Sequence, residues 1–589
     1  MNSPVFKLHL ISDFNIETLG RYLENNSALP RISVVKSDFG QVFPSLLNPP
    51  SGEDNEDFCF VWTSAEGVIS SFRKALAFEP FEHEALRSEV QYFADCLKKC
   101  QSRYKATFVS SWSLPVFNRG LGIVDLQNRS GLRRLLLEMN LLLATTLEGS
   151  IGIHLLDSQR WTGVVGKNAW SSKLWYLSKT PYASEVFVEA VQELKAALAA
   201  VTGSARKLIV LDLDNTLWGG IVGEVGWQNI VLGGHDHGGE SFVDFQRALK
   251  SFRNRGILLG IVSKNEEEIA LQTLQNHPEM VLRVEDFAAW RINWNDKAAN
   301  LADLASELNL GLHSVVFIDD SPVERARVRE AFPEILVPEW PDDKTLYSKT
   351  LLQLECFDAP HLTAEDIVRN RMYSLERERL KTKTRFASLE QWLHSLNTKV
   401  SPEEFNEKNR SRICQLLNKT NQLNLSTRRM SEPELGKWMQ STNRKLLSFR
   451  VQDRFGDSGI TGILSLQLSN GNAQIVDFIL SCRVMGRNIE HAMVAVAVQL
   501  CQELGLHEIT AQYVPTPKNN PCLDFWMNSG FSHDEGENVF RWNLAQNYPV
   551  PAHIALQDWD RKIPAAISAL IPETSPAEPP LTLRANEVL

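Results

Sequence analysis

At 589 residues the chain is too long for a single core; with roughly 100–200 residues per domain, three to five units are expected. The composition, 43% hydrophobic and 22% charged, is that of an ordinary globular protein, and a formal net charge of −10 excludes nonspecific nucleic-acid binding through a generally basic surface. The opening MNSPVFKLHLISDF lacks the basic segment and apolar core of a leader. The most apolar stretch, residues 132–156, carries Arg133, Arg134, Glu138, Asn140 and Glu148, so it predicts a buried helix and strand rather than a membrane span. Eight cysteines without a C-x-x-C pair point to a reduced cytoplasmic protein, and Cys96 and Cys100, one helical turn apart, do not make a zinc site.

In chain order, residues 1–200 alternate apolar runs (58–64, 105–112 and 151–157) with a helical pattern over 84–100. This alternation predicts an α/β unit with a parallel sheet. No Ser-His-Asp set stands out there; Ser12 and His154 read as loop and core residues. Residues 205–345 repeat the pattern more clearly, with strands at Leu208–Leu211, 257–262 and 314–318. Phe242, Phe245, Leu249 and Phe252 lie at helical spacing between the first two. Residues 346–395 read as a charged helical connector, with Thr363 as a cap and Asp366 three positions on. A third unit spans 396–545, and a proline-rich tail spans 546–589.

Each strand of the second unit ends in polar residues. The first runs into Asp212, Asp214, Asn215 and Thr216, the second into Ser263, Lys264 and Asn265, and the third into Asp319 and Asp320. Lys297 opens a helix before the third strand. In open parallel sheets ligands bind outside the carboxyl ends of the strands, so these groups are expected in one crevice. Clustered carboxylates resist ionisation unless a cation joins them, and Mg2+ takes oxygen ligands while keeping waters for phosphate oxygens. One carboxylate can attack phosphorus, a second can move the proton, and a hydroxyl and a lysine can hold the phosphoryl group. His235, His237 and Glu240 in HDHGGE read as a loop at the rim rather than a metal site.

The stretches LDLDNTLWGG, IVSKN, NWNDK and FIDDSPVER resemble the four motifs of the haloacid dehalogenase superfamily of phosphotransferases. The resemblance implies Asp212 as nucleophile and Asp214 as acid/base, with Ser263 and Lys297 binding phosphate and Thr216 joining them by orienting the loop. It implies a metal site of Asp212, the Asp214 carbonyl and Asp319, with Asp320 at its edge. Asp212 to Ser263 is 51 positions and Ser263 to Lys297 is 34, which leaves no room for a cap domain and predicts an open site.

In the third unit an apolar strand ends at Ser481-Cys482. A basic turn with Arg483, Gly486 and Arg487 follows, then a long apolar helix. A helix start reached through such a turn is a phosphate site in waiting. The stretch is similar to the GCN5-related N-acetyltransferase fold, which implies a pantetheine-binding turn at Arg483, Gly486 and Arg487, although Asn488 stands where a small residue is usual. Cys482 is either a core residue or an acyl-carrying nucleophile whose thiol the neighbouring arginines and helix start would acidify. Cys414, Cys501 and Cys522 read as core. The amide- and base-rich span 412–430 is either a capped helix with a polar strand or a binding surface.

The whole order resembles the FkbH-like proteins, uncapped haloacid dehalogenase proteins of polyketide pathways with an N-terminal SGNH-hydrolase- or flavodoxin-like α/β unit and an acetyltransferase-like C-terminal α+β unit. Val225 and Ser321 depart from the expected acidic residue and asparagine. The resemblance implies a glyceryl transferase/phosphatase. It would use Mg2+, draw on 1,3-bisphosphoglycerate and load glyceryl on the phosphopantetheine thiol of an acyl carrier protein, with Cys482 as the candidate acyl carrier on the way and with no nucleic-acid or membrane partner. A plain Mg2+-dependent phosphatase and a non-catalytic carrier-binding scaffold stay open as alternatives.

Overall fold

Three separate sheets organise the chain in the computed structural model. It describes residues 5–48, 57–234, 236–308, 310–359, 375, 379, 382–383, 386–420, 422–516, 519–534, 536 and 538–557, with only the backbone of Lys419 and Cys482. His235, Thr363, Asp366 and the tail from 558 onward therefore lie outside the described residues, as does most of the connector.

The first sheet is parallel, with strands β1 (Val5–Ser12), β2 (Arg31–Lys36), β3 (Phe58–Trp62), β4 (Ala106–Ser110) and β5 (Ile153–Leu156) in the order 2-1-3-4-5. That is the flavodoxin-like order. Alternate residues of its strands feed two cores, one holding Val61, Phe72 and Phe93, the other Phe60, Trp62 and Phe187. The polar residues at its strand ends hold loops: Ser12 Oγ accepts from Phe14 N at 3.2 Å, and Asp13 accepts from Ser64 N at 2.8 Å. His154 stacks on Phe108 at 5.6 Å.

The central sheet is also parallel, in the order β8-β7-β6-β9, from β6 (Leu208–Leu211), β7 (Leu258–Ser263), β8 (Ala289–Ile292) and β9 (Val315–Ile318). β6 is fully buried, as expected of a strand covered on both faces. Ile209 and Leu211 pack with Phe242, Phe245, Leu249 and Phe252 of the helix His237–Asn254. Leu208 and Val210 pack with Leu301 and Leu304 of the helix Lys297–Glu307 on the other side. The sequence reading had no strand at β8; it is a four-residue edge strand with two half-exposed positions and lacks a long apolar run.

The third sheet has nine strands, from β10 (Thr398–Glu404), β11 (Leu423–Asn424), β12 (Arg444–Asp453), β13 (Gly456–Ser469), β14 (Asn472–Leu480), β15 (Glu508–Gln512), β16 (Ser532–Asp534), β17 (Val539–Asn543) and β18 (Ile554–Leu556). The helix Ile489–Glu503 is buried nearly all round and fills one core of this unit. β14 and β15 run parallel only over Asn472–Ile475 and Glu508–Ala511, then part. Residues 423–425 fill the gap: β11 pairs with Ile479 and Leu480, Leu425 N donates to Phe478 O at 3.1 Å, and Val514 N donates to Leu425 O at 3.0 Å. The span read as a helix or a binding surface is thus the helix Glu407–Lys419 followed by a short strand built into the sheet.

Candidate active site

β6 carries its last apolar residue at Leu211, and Asp212 N still donates to Ile318 O of β9 at 3.0 Å, so the nucleophile candidate sits where the ladder ends. The chain then turns at Asn215, which takes a left-handed φ of 56°, a conformation asparagine tolerates better than most residues. Asn215 Oδ1 accepts from Gly220 N at 3.0 Å and closes the turn. Thr216, fully buried, accepts from Asp320 N at 3.1 Å and so ties the first loop to the third. Arg325 holds that third loop from below, donating to the carbonyls of Asp319 and Asp320 at 2.8 and 2.7 Å.

Lys297 opens its helix because Asp296 caps it, accepting from Ala298 N at 2.7 Å. Only 4% exposed, its ammonium lies 3.0 Å from Asp212 Oδ2 and 2.6 Å from Asp319 Oδ2. Burial works against its charge, but Asp212 and Asp319 outweigh it and hold the Lys297 pKa above the ordinary value. Burial and the nearby Asp212 push the Asp319 carboxyl up, against the pull of Lys297. Burial raises Asp320 as well, partly offset by Lys344. The carboxyl oxygens of Asp212, Asp319 and Asp320 lie within 4.8 Å of one another, and they are the one such group among the described residues that could hold a metal ion. Asp212 Oδ1 is buried without a hydrogen-bond partner. Three hard oxygen donors, one of them orphaned, suit a hard divalent cation.

Asp214 faces elsewhere. Its Oδ1 accepts from the Trp218 indole at 2.9 Å and from Val222 N at 3.1 Å, and its Oδ2 accepts from Asn265 Nδ2 at 2.8 Å. Its carboxyl is therefore outside the three-carboxylate group. Ser263 ends β7, buried, 3.4 Å from Asn265 Nδ2. Asn265 and Trp218 thus position Asp214, a task the sequence reading did not give them, although Asn265 sits two positions after Ser263. Tyr347 and Lys344 also reach the site from beyond the last motif: Lys344 donates to the Tyr347 hydroxyl at 2.5 Å and lies 3.9 Å from Asp320.

Asp236 caps the helix His237–Asn254 through Gly238 N and Gly239 N at 2.7 and 3.0 Å, so residues 236–240 form a helix start that includes His237 and Glu240. In the third unit the residues expected to form the pantetheine turn lie in three different environments. Arg487 is 1% exposed and spends its guanidinium on Asp453 Oδ2 at 3.0 Å and on Arg483 O at 2.8 Å, so it is a core ion-pair residue. Gly486 is an exposed turn glycine with φ 75°, and Arg483 is half-buried, 3.4 Å from Ser481 Oγ. Cys482 opens the short turn Cys482–Val484, and its side chain lies outside the described residues. Cys414, Cys501 and Cys522 are buried, and burial pushes the last two thiols up to about 12.

Fold and site together define a multidomain α/β protein whose central parallel sheet carries a carboxylate–lysine cluster at its carboxyl edge. No protein-family model matches the chain, and no curated protein matches it. Among solved structures it is similar to the N-terminal part of BF1531 from Bacteroides fragilis, which contains a phosphatase domain and was crystallised with Mg. The two are 26% identical with a TM-score of 0.55, over 60% of this chain and 94% of that one. A quarter of the chain aligns with spermidine N-acetyltransferase of Vibrio cholerae (15% identity, TM-score 0.20, 96% of that chain) and with a GNAT-family acetyltransferase of Staphylococcus aureus (13%, 0.20, 99%). Likenesses that slight carry no functional weight.

Proposed function

We propose that the central unit is a Mg2+-dependent phosphatase of the haloacid dehalogenase type. In this reading the protein removes phosphate from a phosphoglyceryl unit of 1,3-bisphosphoglycerate and loads glyceryl on an acyl carrier protein. The observation that carries the phosphatase part is Lys297 bridging Asp212 and Asp319 with Asp320 alongside and Asp212 Oδ1 unpaired. The similarity to a Mg-bound phosphatase domain supports it. Asp212, Asp319 and Asp320 would hold Mg2+, which supplies charge neutralisation at the phosphoryl oxygens.

The residues of the chain divide the work. An Asp212 carboxylate oxygen attacks phosphorus, the bond from phosphorus to the substrate oxygen breaks, and Asp214 protonates that oxygen. Asp214 then takes a proton from the water that releases phosphate from Asp212. Asp214 Oδ2 accepts a single N–H, from Asn265, which leaves room for that proton. Lys297 stays on the nucleophile and offsets the transferred charge. Glyceryl transfer forms a bond from the pantetheine sulfur to the acyl carbon and breaks the bond from that carbon to the 1-phosphate oxygen; the phosphate leaves and takes up the proton that the thiol loses.

Asn265→Ala is expected to lower turnover of p-nitrophenyl phosphate about 10–100-fold, because it removes the donor that holds Asp214 Oδ2. An unchanged rate would remove Asn265 from the site. The whole reading is tested by intact mass spectrometry of a holo acyl carrier protein incubated with the protein, 1,3-bisphosphoglycerate and Mg2+. A glyceryl adduct without phosphate is expected. A bare carrier beside continued phosphate release would leave a plain phosphatase.

A further inference from the structure

The site draws on a segment that lies beyond all four motifs. The turn Lys344–Leu346 and the helix Tyr347–Leu352 follow Asp320 by more than twenty positions and pack on the helix His237–Asn254. Tyr347 is fully buried, with its ring against Phe242, Phe245 and Trp340 at 6.2, 5.5 and 5.1 Å. Its hydroxyl donates to Asn215 O at 3.3 Å, in the turn that directly follows Asp212 and Asp214. The same hydroxyl accepts from Lys344 Nζ at 2.5 Å, and that nitrogen lies 4.9 Å from the ring centroid and 3.9 Å from Asp320 Oδ2. A rigid aromatic thus fixes a flexible lysine beside the outermost carboxyl of the cluster.

The other cations nearby are committed. Lys297 bridges Asp212 and Asp319, Arg325 binds two carbonyls, and Lys264 pairs with Glu324 at 2.6 Å. Lys344 keeps 31% of its side chain accessible, and Asp320 keeps 25%, so both are partly open to solvent. Its 3.9 Å from Asp320 exceeds a direct charge-assisted hydrogen bond, so the ammonium has donors to spare for a ligand.

We infer that Lys344 is a specificity-determining residue that receives a second anionic group of the substrate, one other than the phosphoryl group transferred at Asp212. The inference rests on the phosphatase reading. Lys297 serves the phosphoryl group at the nucleophile, whereas Lys344 stands beside Asp320, the most accessible carboxyl of the cluster. A phosphorylated compound that also bears a carboxylate or a second phosphate would meet both lysines. One bearing a single phosphate would meet only Lys297.

The test compares 3-phosphoglycerate, which has a carboxylate, with p-nitrophenyl phosphate, which has no second anion. Lys344→Met is expected to raise KM for 3-phosphoglycerate about tenfold or more, with KM for p-nitrophenyl phosphate within about twofold. Lys344→Arg should keep the preference. A binding readout removes any dependence on turnover: in Asp212→Asn protein with Mg2+, calorimetric affinity for 3-phosphoglycerate should fall by the same factor when Lys344→Met is added. Equal losses on both compounds, no loss, or a wild type without preference for 3-phosphoglycerate overturns the inference. A wild type that shows no Mg2+-dependent hydrolysis of p-nitrophenyl phosphate overturns instead the phosphatase reading beneath it.

Discussion

Asp212→Asn is expected to lower Mg2+-dependent phosphate release by about a thousandfold or more, the scale on which loss of a covalent nucleophile is felt. The amide keeps the shape of the side chain, so the loop with its Asn215 turn should persist. What disappears is the nucleophilic oxygen and one of the two negative charges that Lys297 bridges. The same variant has a pH signature. In the metal-free protein burial and the Asp212 charge hold Asp319 above its ordinary value of 3.8, and burial holds Asp320 above it too. The folded chain therefore binds protons more tightly there than the unfolded chain. The sign follows: their ionisation costs stability, the cost is absent below 3.8 and it grows as pH rises through the raised folded values. A divalent cation favours the ionised form, so the melting-temperature gain from Mg2+ should increase between about pH 5 and 7. Removing the Asp212 charge should flatten that increase. Scanning calorimetry with and without Mg2+ measures both, and a gain that is flat with pH in wild type would detach these carboxyls from the cation.

The convergence at the carboxyl edge of the central sheet was legible because it is local. Apolar runs mark strands, and the residues just after them must lie at one edge of a parallel sheet, so Asp212, Ser263 and Asp319 could be placed by position alone. The second tier was not legible, because it depends on distant partners. Tyr347 meets Asn215 across 132 positions, and nothing in PDDKTLY announces it. Arg487 shows the same dependence on distant partners. Its spacing to Gly486 and the following helix implies a phosphate turn, whereas the partner of its guanidinium is Asp453, 34 positions earlier at the end of β12. A local motif states which backbone shape is available. It does not state which side of that shape is solvent.

The buried ion cluster around Asp453 yields the largest expected stability effect. Asp453 is 1% exposed in its side chain and faces two guanidiniums, Arg379 at 2.7 Å and Arg487 at 3.0 Å, themselves 3% and 1% exposed. Asp453 Oδ1 also accepts from Phe455 N and Gly456 N at 2.9 and 3.2 Å, closing the turn between β12 and β13. Asp453→Ala removes a carboxylate that these two buried cations share. A loss of about 3–5 kcal/mol in urea unfolding is expected, the range for breaking one side of a buried pair. Arg487→Met should cost less, because Asp453 keeps Arg379, and Asp453→Ala combined with Arg487→Met should cost less than the sum of the two single changes. That non-additivity separates the two roles open to Arg487. A structural ion-pair residue couples energetically to Asp453. A residue that binds the carrier's phosphate would leave unfolding unchanged in Arg487→Met and lose carrier affinity instead, and its guanidinium would have to leave a carboxylate that holds it in the core.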